Sequence, residues 1–347
     1  MRIFSLIFLF FSVGTEIVYG SAANGDGKKF NAGDFIVHHI KDAYDWHITT
    51  IGSHDISIPL PVILFSPGNG FDIFLSNRFE HGKTVVNGYR IEHNHIIAED
   101  GRKFYDISIT KNVASLFISV FILLFIFIKV ARSYLLNPNK PPRGLVNALE
   151  PVLLFIRDDI AKPSIGAGYE KYLPYLMTVF FFIWINNMLG LIPIFPGGAN
   201  LTGNIATTLV LALFTFIISI VVSKKYFWLH IFNPPGVPIW LKLPIPLMPV
   251  VEFMGVIIRP SVLMIRLFAN ILAGHIIILS FISLIFIFAA INTWLGLSVS
   301  AISIAFSVFM SFLELLVAFI QAYVFTILSA IYFGMATEVP HHNKEHH

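Results

Sequence analysis

Five polar side chains interrupt the most apolar part of this 347-residue sequence: Arg266, Asn270, His275, Glu314 and Gln321. An imidazole and a carboxylate can exchange protons, whereas a guanidinium stays protonated and can act only as a fixed positive charge. Their spacing is ordered. With Trp294 as the middle of an antiparallel helical hairpin, Arg266 lies 28 residues before it and Gln321 lies 27 after. His275 lies 19 before and Glu314 lies 20 after. Arg266 therefore shares a depth with Gln321, and His275 with Glu314, an arrangement that apolar packing does not require. At about 100° per residue, Asn270 falls about 40° from Arg266, while His275 falls about 180° away. Gln321 lies about 20° from Glu314, so the second helix carries one polar stripe. Glu252 returns to within about 40° of the Arg266 face, several turns nearer the start of its helix.

Insertion cost separates function from accident. A charge at the centre of a membrane helix costs roughly 2.5–3.5 kcal/mol relative to an apolar residue. The plainer readings are an arginine bonded to backbone carbonyls, a satisfied buried histidine, and a structural ion pair between His275 and Glu314. The matched depths favour an ion path instead, with Glu314 and His275 as the titrating pair and Arg266 as the fixed charge. No H-E-x-x-H run and no G-x-x-x-x-G-K-[ST] loop is present, so neither a zinc protease nor a nucleotide site is expected.

The elements holding these residues follow from composition. Hydrophobic residues make up 56% and charged residues 12%, against about 25% charged in a soluble domain, and the mean hydropathy is +0.77. The net charge of +3 does not argue for nucleic acid. Without cysteine there are no disulfides, thiol chemistry or Cys-based metal sites. An all-α polytopic membrane protein is expected. Its five passes are "VASLFISVFILLFIFIKVA", "YLPYLMTVFFFIWINNMLGLIPIF", "NIATTLVLALFTFIISIVV" and two long segments near 247–290 and 297–337, joined by "INTWLGL". Residues 261–290 alone would make a helix of about 45 Å, against a hydrocarbon core near 30 Å, so the last two helices should tilt strongly. "GLVNALEPVLLFIRDDIAKP" is amphipathic and too charged to span, so it should lie in the interface. Lys129, Arg132, Lys140, Arg143, Lys224, Lys225 and Lys242 all fall on one side of this topology. That side should be cytoplasmic, with the N-terminus outside and the C-terminus inside.

Residues 1–22 have a basic start, a short apolar core and small residues after it, the pattern of a cleaved signal peptide. Residues 23–110 are charged and turn-rich, and a small exported α+β region is expected there. "GDFIVHHIKDAYDW" reads as a short helix starting near Asp34, and "DISIPLPVILF" as a strand or edge segment interrupted by Pro59 and Pro61. Asn87–Gly88 and Asp100–Gly101 read as hairpin turns. The membrane domain is then 111–337, and 338–347 is a His-rich cytoplasmic tail. His38, His39, Asp42 and His47, and the tail histidines, read as solvated residues, and no metal site is expected.

"RPSVLMIRLFANILAGH" and "FLELLVAFIQAYVFTILSAIY", with "NNMLGLIP" and "NLTGNIATTLVLAL" upstream, resemble the a subunit of the F-type rotary ATP synthase. The resemblance covers about 113–337. It implies a proton-translocating stator subunit with two half-channels, embedded in the bacterial inner membrane, with ATP chemistry left to other subunits and no cofactor of its own. Implied partners are the c-subunit ring, the b-subunit peripheral stalk, the remaining ATP synthase subunits and the lipid bilayer. The implied ion is H⁺, with Na⁺ the alternative, because ion choice rests largely with the c-subunit site. Arg266 matches the family's essential arginine facing the c-ring carboxylates, and Asn270 and Gln321 match polar residues near it. His275 and Glu314 occupy positions where many bacterial members carry Glu then His. Here the pair is exchanged, as in mitochondrial members. Glu252 matches an acidic position on the cytoplasmic side, and Gly190 stands where some members have an acid. A secondary ion transporter acting alone is the competing reading, although no inverted repeat is visible.

Overall fold

The computed structural model describes residues 31–33, 36, 40–51, 54–68, 70–82, 84–92, 95–136, 141, 143–192, 197–232 and 247–337. Two compact units divide the chain. Residues 1–120, 186–201 and 272–315 make the first, and residues 121–185, 202–271 and 316–347 make the second. The signal-peptide reading, Asp34, His38 and His39, Lys140, Lys242 and the tail 338–347 fall outside the described residues.

The first unit contains the strands β1 (Asp45–Ile51), β2 (His54–Pro59), β3 (Pro61–Ser66), β4 (Gly70–Leu75), β5 (Tyr89–Glu92), β6 (His95–Ala98) and β7 (Tyr105–Asp106). They form the antiparallel pairs β1–β2 and β5–β6, and a three-stranded antiparallel sheet in the order β4–β3–β7. Asp45 and Trp46 already belong to β1, so the helix expected from Asp34 does not extend through Trp46. The two prolines divide the next segment into two strands in different sheets, with Leu60 between them. There Ser76 bonds Leu60 twice, its Oγ accepting the Leu60 N–H and its own N–H donating to the Leu60 carbonyl. Pro61 opens β3, where a missing N–H is tolerated. Asn87 and Gly88 take φ of 52° and 80°, as a two-residue hairpin turn requires. Val86 and Tyr89 exchange backbone hydrogen bonds of 2.9 Å across it. Asp100–Gly101 is a turn but not a hairpin, because β7 pairs with β3 and not with β6. Val62, Leu64, Phe74, Phe79, Tyr89, Ile96 and Ala98 form the core of this region.

Asp42 leads from that region into the first long helix, α1 (Lys111–Leu136). Its Oδ1 accepts the Asn112 N–H, and the Ala43 carbonyl accepts the Lys111 N–H, so two of the otherwise unpaired donors at the helix start are satisfied. Then come α2 (Leu145–Phe155), a π turn (Ile156–Ala161) and α3 (Lys162–Ile165). The π turn runs into Pro163, whose ring would clash with the carbonyl four residues back in a regular helix, and the wider turn relieves that. Ile156, Ile160 and Ala161 bury one side of this segment, while Asp158 on the other bonds Arg157 and Lys162. Those two cations, Arg157 first, hold the Asp158 carboxyl well below the usual carboxylate range.

The remaining helices are α4 (Leu173–Leu191), α5 (Ile205–Val222, capped by Asn204), α6 (Lys225–Phe232), α7 (Leu247–Ile291) and α8 (Thr293–Thr337). Among the described residues, α1, α4, α5, α7 and α8 are long and apolar enough to cross a membrane. The chain is a polytopic, mostly helical membrane protein with a small N-terminal region containing strands. The turn between α7 and α8 is tighter than "INTWLGL" suggests. Asn292 alone joins them, its Oδ1 accepting the Trp294 N–H. A Cβ on Gly296 would lie 2.7 Å from the Ala289 Cα, so the absence of a side chain lets the turn close. Further along the first unit, Phe281 stacks on Phe306 with centroids 5.3 Å apart, which makes the two helices antiparallel neighbours.

In the second unit, Leu176, Val179, Phe180 and Ile183 of α4 pack with Leu263 and Leu267 of α7 and with Ala322, Phe325 and Phe333 of α8. Tyr175 bonds Thr215 at 2.8 Å within it.

Candidate functional site

The first unit brings one predicted pair together. His275 Nδ1 lies 2.5 Å from Glu314 Oε1. Glu314 is only 4% exposed. Its second oxygen, Oε2, is buried with no partner among the described residues. Two glycines make room for the pair. A Cβ on Gly274 would stand 2.8 Å from Glu314 Oε1, so only glycine leaves the carboxylate in place. A Cβ on Gly190 would stand 3.9 Å from His275 Nε2, the ring nitrogen that Glu314 does not use. Gly190 is thus the neighbour of that nitrogen. A carboxylate and an imidazole bonded in this way can take up a proton on one group and release it from the other.

The second unit holds the remaining candidates and does not bond them together. Leu263, Leu267 and Ile271 bury one side of α7, while Val262, Arg266, Ala269 and Asn270 stand exposed. Among the described residues Arg266 has no hydrogen bond and no ion pair, so none of them neutralises it. Gln321 is buried on α8 between Ala318 and Ala322, and no hydrogen bond joins it to Arg266 or Asn270 among the described residues. Glu252 is half-buried near the start of α7. No group of three or more metal-ligating side chains comes together among the described residues.

Residues 113–334 match the family model described as ATP synthase A chain. The chain belongs to this family. It is 38% identical to an ATP synthase subunit a of Chlorobium phaeobacteroides over 94% of this chain and 81% of that one. It is 36% identical to an ATP synthase subunit a 2 of Prosthecochloris aestuarii over 99% and 95%. An ATP synthase subunit a of Pelodictyon phaeoclathratiforme is 45% identical over 70% of this chain and 68% of its own. Residues 35–115 match a separate domain of unknown function.

Within this A-chain family member, sequence reasoning passed over two features. Gly274 carries no side chain to signal a role, and only the position of Glu314 reveals it. Arg259, one residue before Pro260 of α7, places its guanidinium 5.9 Å from the Tyr332 ring and Nη1 3.7 Å from the Met335 sulfur. It is held by its own chain.

Proposed function

We propose that this chain is the proton-translocating stator subunit of the membrane sector of an ATP synthase. In this reading its N-terminal side faces out of the cell, and its C-terminus lies in the cytoplasm of a bacterial inner membrane. Protons enter from outside through a wet cleft that reaches the Glu314–His275 pair, with Asn270 and Gln321 further along the route. They then protonate a carboxylate on a passing c subunit. The neutral carboxyl can rotate through lipid, where the charged form would meet a penalty of several kcal/mol. After nearly a full turn, the carboxyl releases its proton into a second cleft near Glu252. Arg266 then stabilises the bare carboxylate, and its fixed charge repels protons that would otherwise leak between the clefts. The c-ring and the b-subunit stalk are the direct partners, and ATP chemistry belongs to other subunits.

One observation carries the reading. Arg266 stands exposed on an apolar helix without an anionic partner among the described residues, in a member of the ATP synthase A chain family. Such a charge calls for an acid from outside its own chain. Replacing it by alanine should abolish proton-driven ATP synthesis and ATP-driven pumping while the complex still assembles. Normal synthesis by the assembled Arg266→Ala complex would refute the stator role.

A further inference from the structure

The region matching a domain of unknown function presents a surface that the proton path does not use. Successive residues of a strand point to opposite faces. In the sheet β4–β3–β7, Val62, Leu64 and Phe74 take the face that forms the core. The other face is apolar and, among the described residues, uncovered. The register aligns Phe71, Phe65 and Tyr105 in one rung. In the next, Ile73 pairs with Ile63, whose carbonyl accepts the Ile107 N–H. Phe71, Ile73, Tyr105 and Ile107 are 65%, 67%, 64% and 58% exposed. Phe65 contacts both aromatic neighbours, with centroids 4.8 Å and 6.4 Å away. Asp72, Asp106 and Ser108 have the opposite parity, so no strand residue on this face is charged, and Arg78 lies at its edge beside Ile73 and Leu75. A contiguous apolar face of this kind marks a partner or a membrane.

Its attachments choose between them. Ile109 continues the same face and lies two residues before α1 begins at Lys111. Asp42 caps that helix start, and Trp46 Nε1 donates to the Gly197 carbonyl in the segment between α4 and α5. The strand region is therefore fastened to the ends of membrane helices at two points. Its apolar face also runs, in the chain, into α1, whose lipid-compatible side opens with exposed Phe117. Aromatic and aliphatic side chains at such a position suit the headgroup–acyl boundary.

We propose that this sheet face, with Phe65, Phe71 and Tyr105 as anchors, inserts into the lipid interface of the leaflet at the N-terminal end of α1. The proposal stands independently of the proton path. The chain has no cysteine, so an Ile73→Cys full-length chain can carry a single nitrobenzoxadiazole label. In vesicles of phosphatidylcholine and phosphatidylglycerol, emission should shift to the blue. It should also fall several-fold when lipid bearing a nitroxide near its headgroup is added. A label on Glu99→Cys, at an exposed turn, should report water and no quenching. Tyr105→Cys replaces Ile73→Cys if the latter does not fold. Equal, water-like emission at both sites overturns the proposal. So does a label shielded only in the assembled complex or only at high chain concentration, without quenching by the lipid. Those outcomes would assign the face to another subunit or to a second copy.

Discussion

Gly274→Ala tests whether the Glu314–His275 pair delivers protons or merely fills space. The added Cβ would come 2.8 Å from Glu314 Oε1 and 3.0 Å from its Cδ. Ordinary contact for such atoms begins near about 3.4 Å, so the carboxylate must retreat by roughly half an ångström or turn. The bond to His275 starts at 2.5 Å, and a turn of that size takes it out of line. A charge-assisted hydrogen bond is worth about 1.5–3 kcal/mol, and each 1.4 kcal/mol is about tenfold in rate. ATP-driven proton pumping by the reconstituted complex should therefore fall roughly tenfold to a hundredfold, with assembly intact. Gly190→Ala is the control, because its Cβ meets the Ala199 carbonyl at 3.5 Å and His275 Nε2 at 3.9 Å, both ordinary contacts, and it should pump almost normally. Wild-type pumping by Gly274→Ala, or equal losses in the two alanine variants, would refute the relay argument.

Three further outcomes follow from the same structure. Exchanging the pair, His275→Glu with Glu314→His, should retain more pumping than either single change. A double variant no better than the worse single one would deny that the two groups act together. Gly334→Ala would put a Cβ 2.0 Å from the Ser164 carbonyl. A clash with backbone should lower stability by at least about 1–3 kcal/mol, read as an earlier thermal transition of the purified chain. Burial, followed by the bond to Asp106, raises the Tyr44 phenol above its ordinary value. A raised folded-state value means the contribution to stability is complete below about pH 10 and is lost as pH rises beyond it. Alkaline unfolding followed by near-ultraviolet circular dichroism should show that loss, and Tyr44→Phe should remove it.

The membrane half was legible because long apolar runs mark helices long enough to span, and because two antiparallel helices convert residue counting into depth. Counting alone put His275 opposite Glu314. It failed at the turn, where Thr293, Trp294 and Gly296 look like loop residues. The Asn292 side chain and the close fit of Gly296 on Ala289 keep them helical, and both are tertiary facts. Gly274 and Gly190 were illegible for a related reason: a glycine's importance lies in what approaches it. In the strand region, Asn87–Gly88 announced its hairpin through backbone preference. Asp100–Gly101 carried the same local signal, but β7 found its partner in β3, some forty residues earlier in the chain, and no local pattern encodes that choice.

The two kinds of charge in the helical hairpin have been given opposite environments. Glu314 is buried and already bonded to His275, so its cost is offset within the chain. Arg266 is exposed, and no acid among the described residues meets it. Were the guanidinium paired with Glu314, both groups would be locked as a structural ion pair, and the chain would hold neither a relay nor a fixed charge for an incoming acid. A buried pair of that sort, once formed, is expensive to break. A cation with no acidic partner among the described residues costs roughly 2.5–3.5 kcal/mol at the centre of an apolar membrane helix. A structural role would not require that cost, since Arg259 shows how the same chain occupies a guanidinium internally, over Tyr332 and against Met335. The contrast between the two arginines is the argument for an external, moving carboxylate at Arg266.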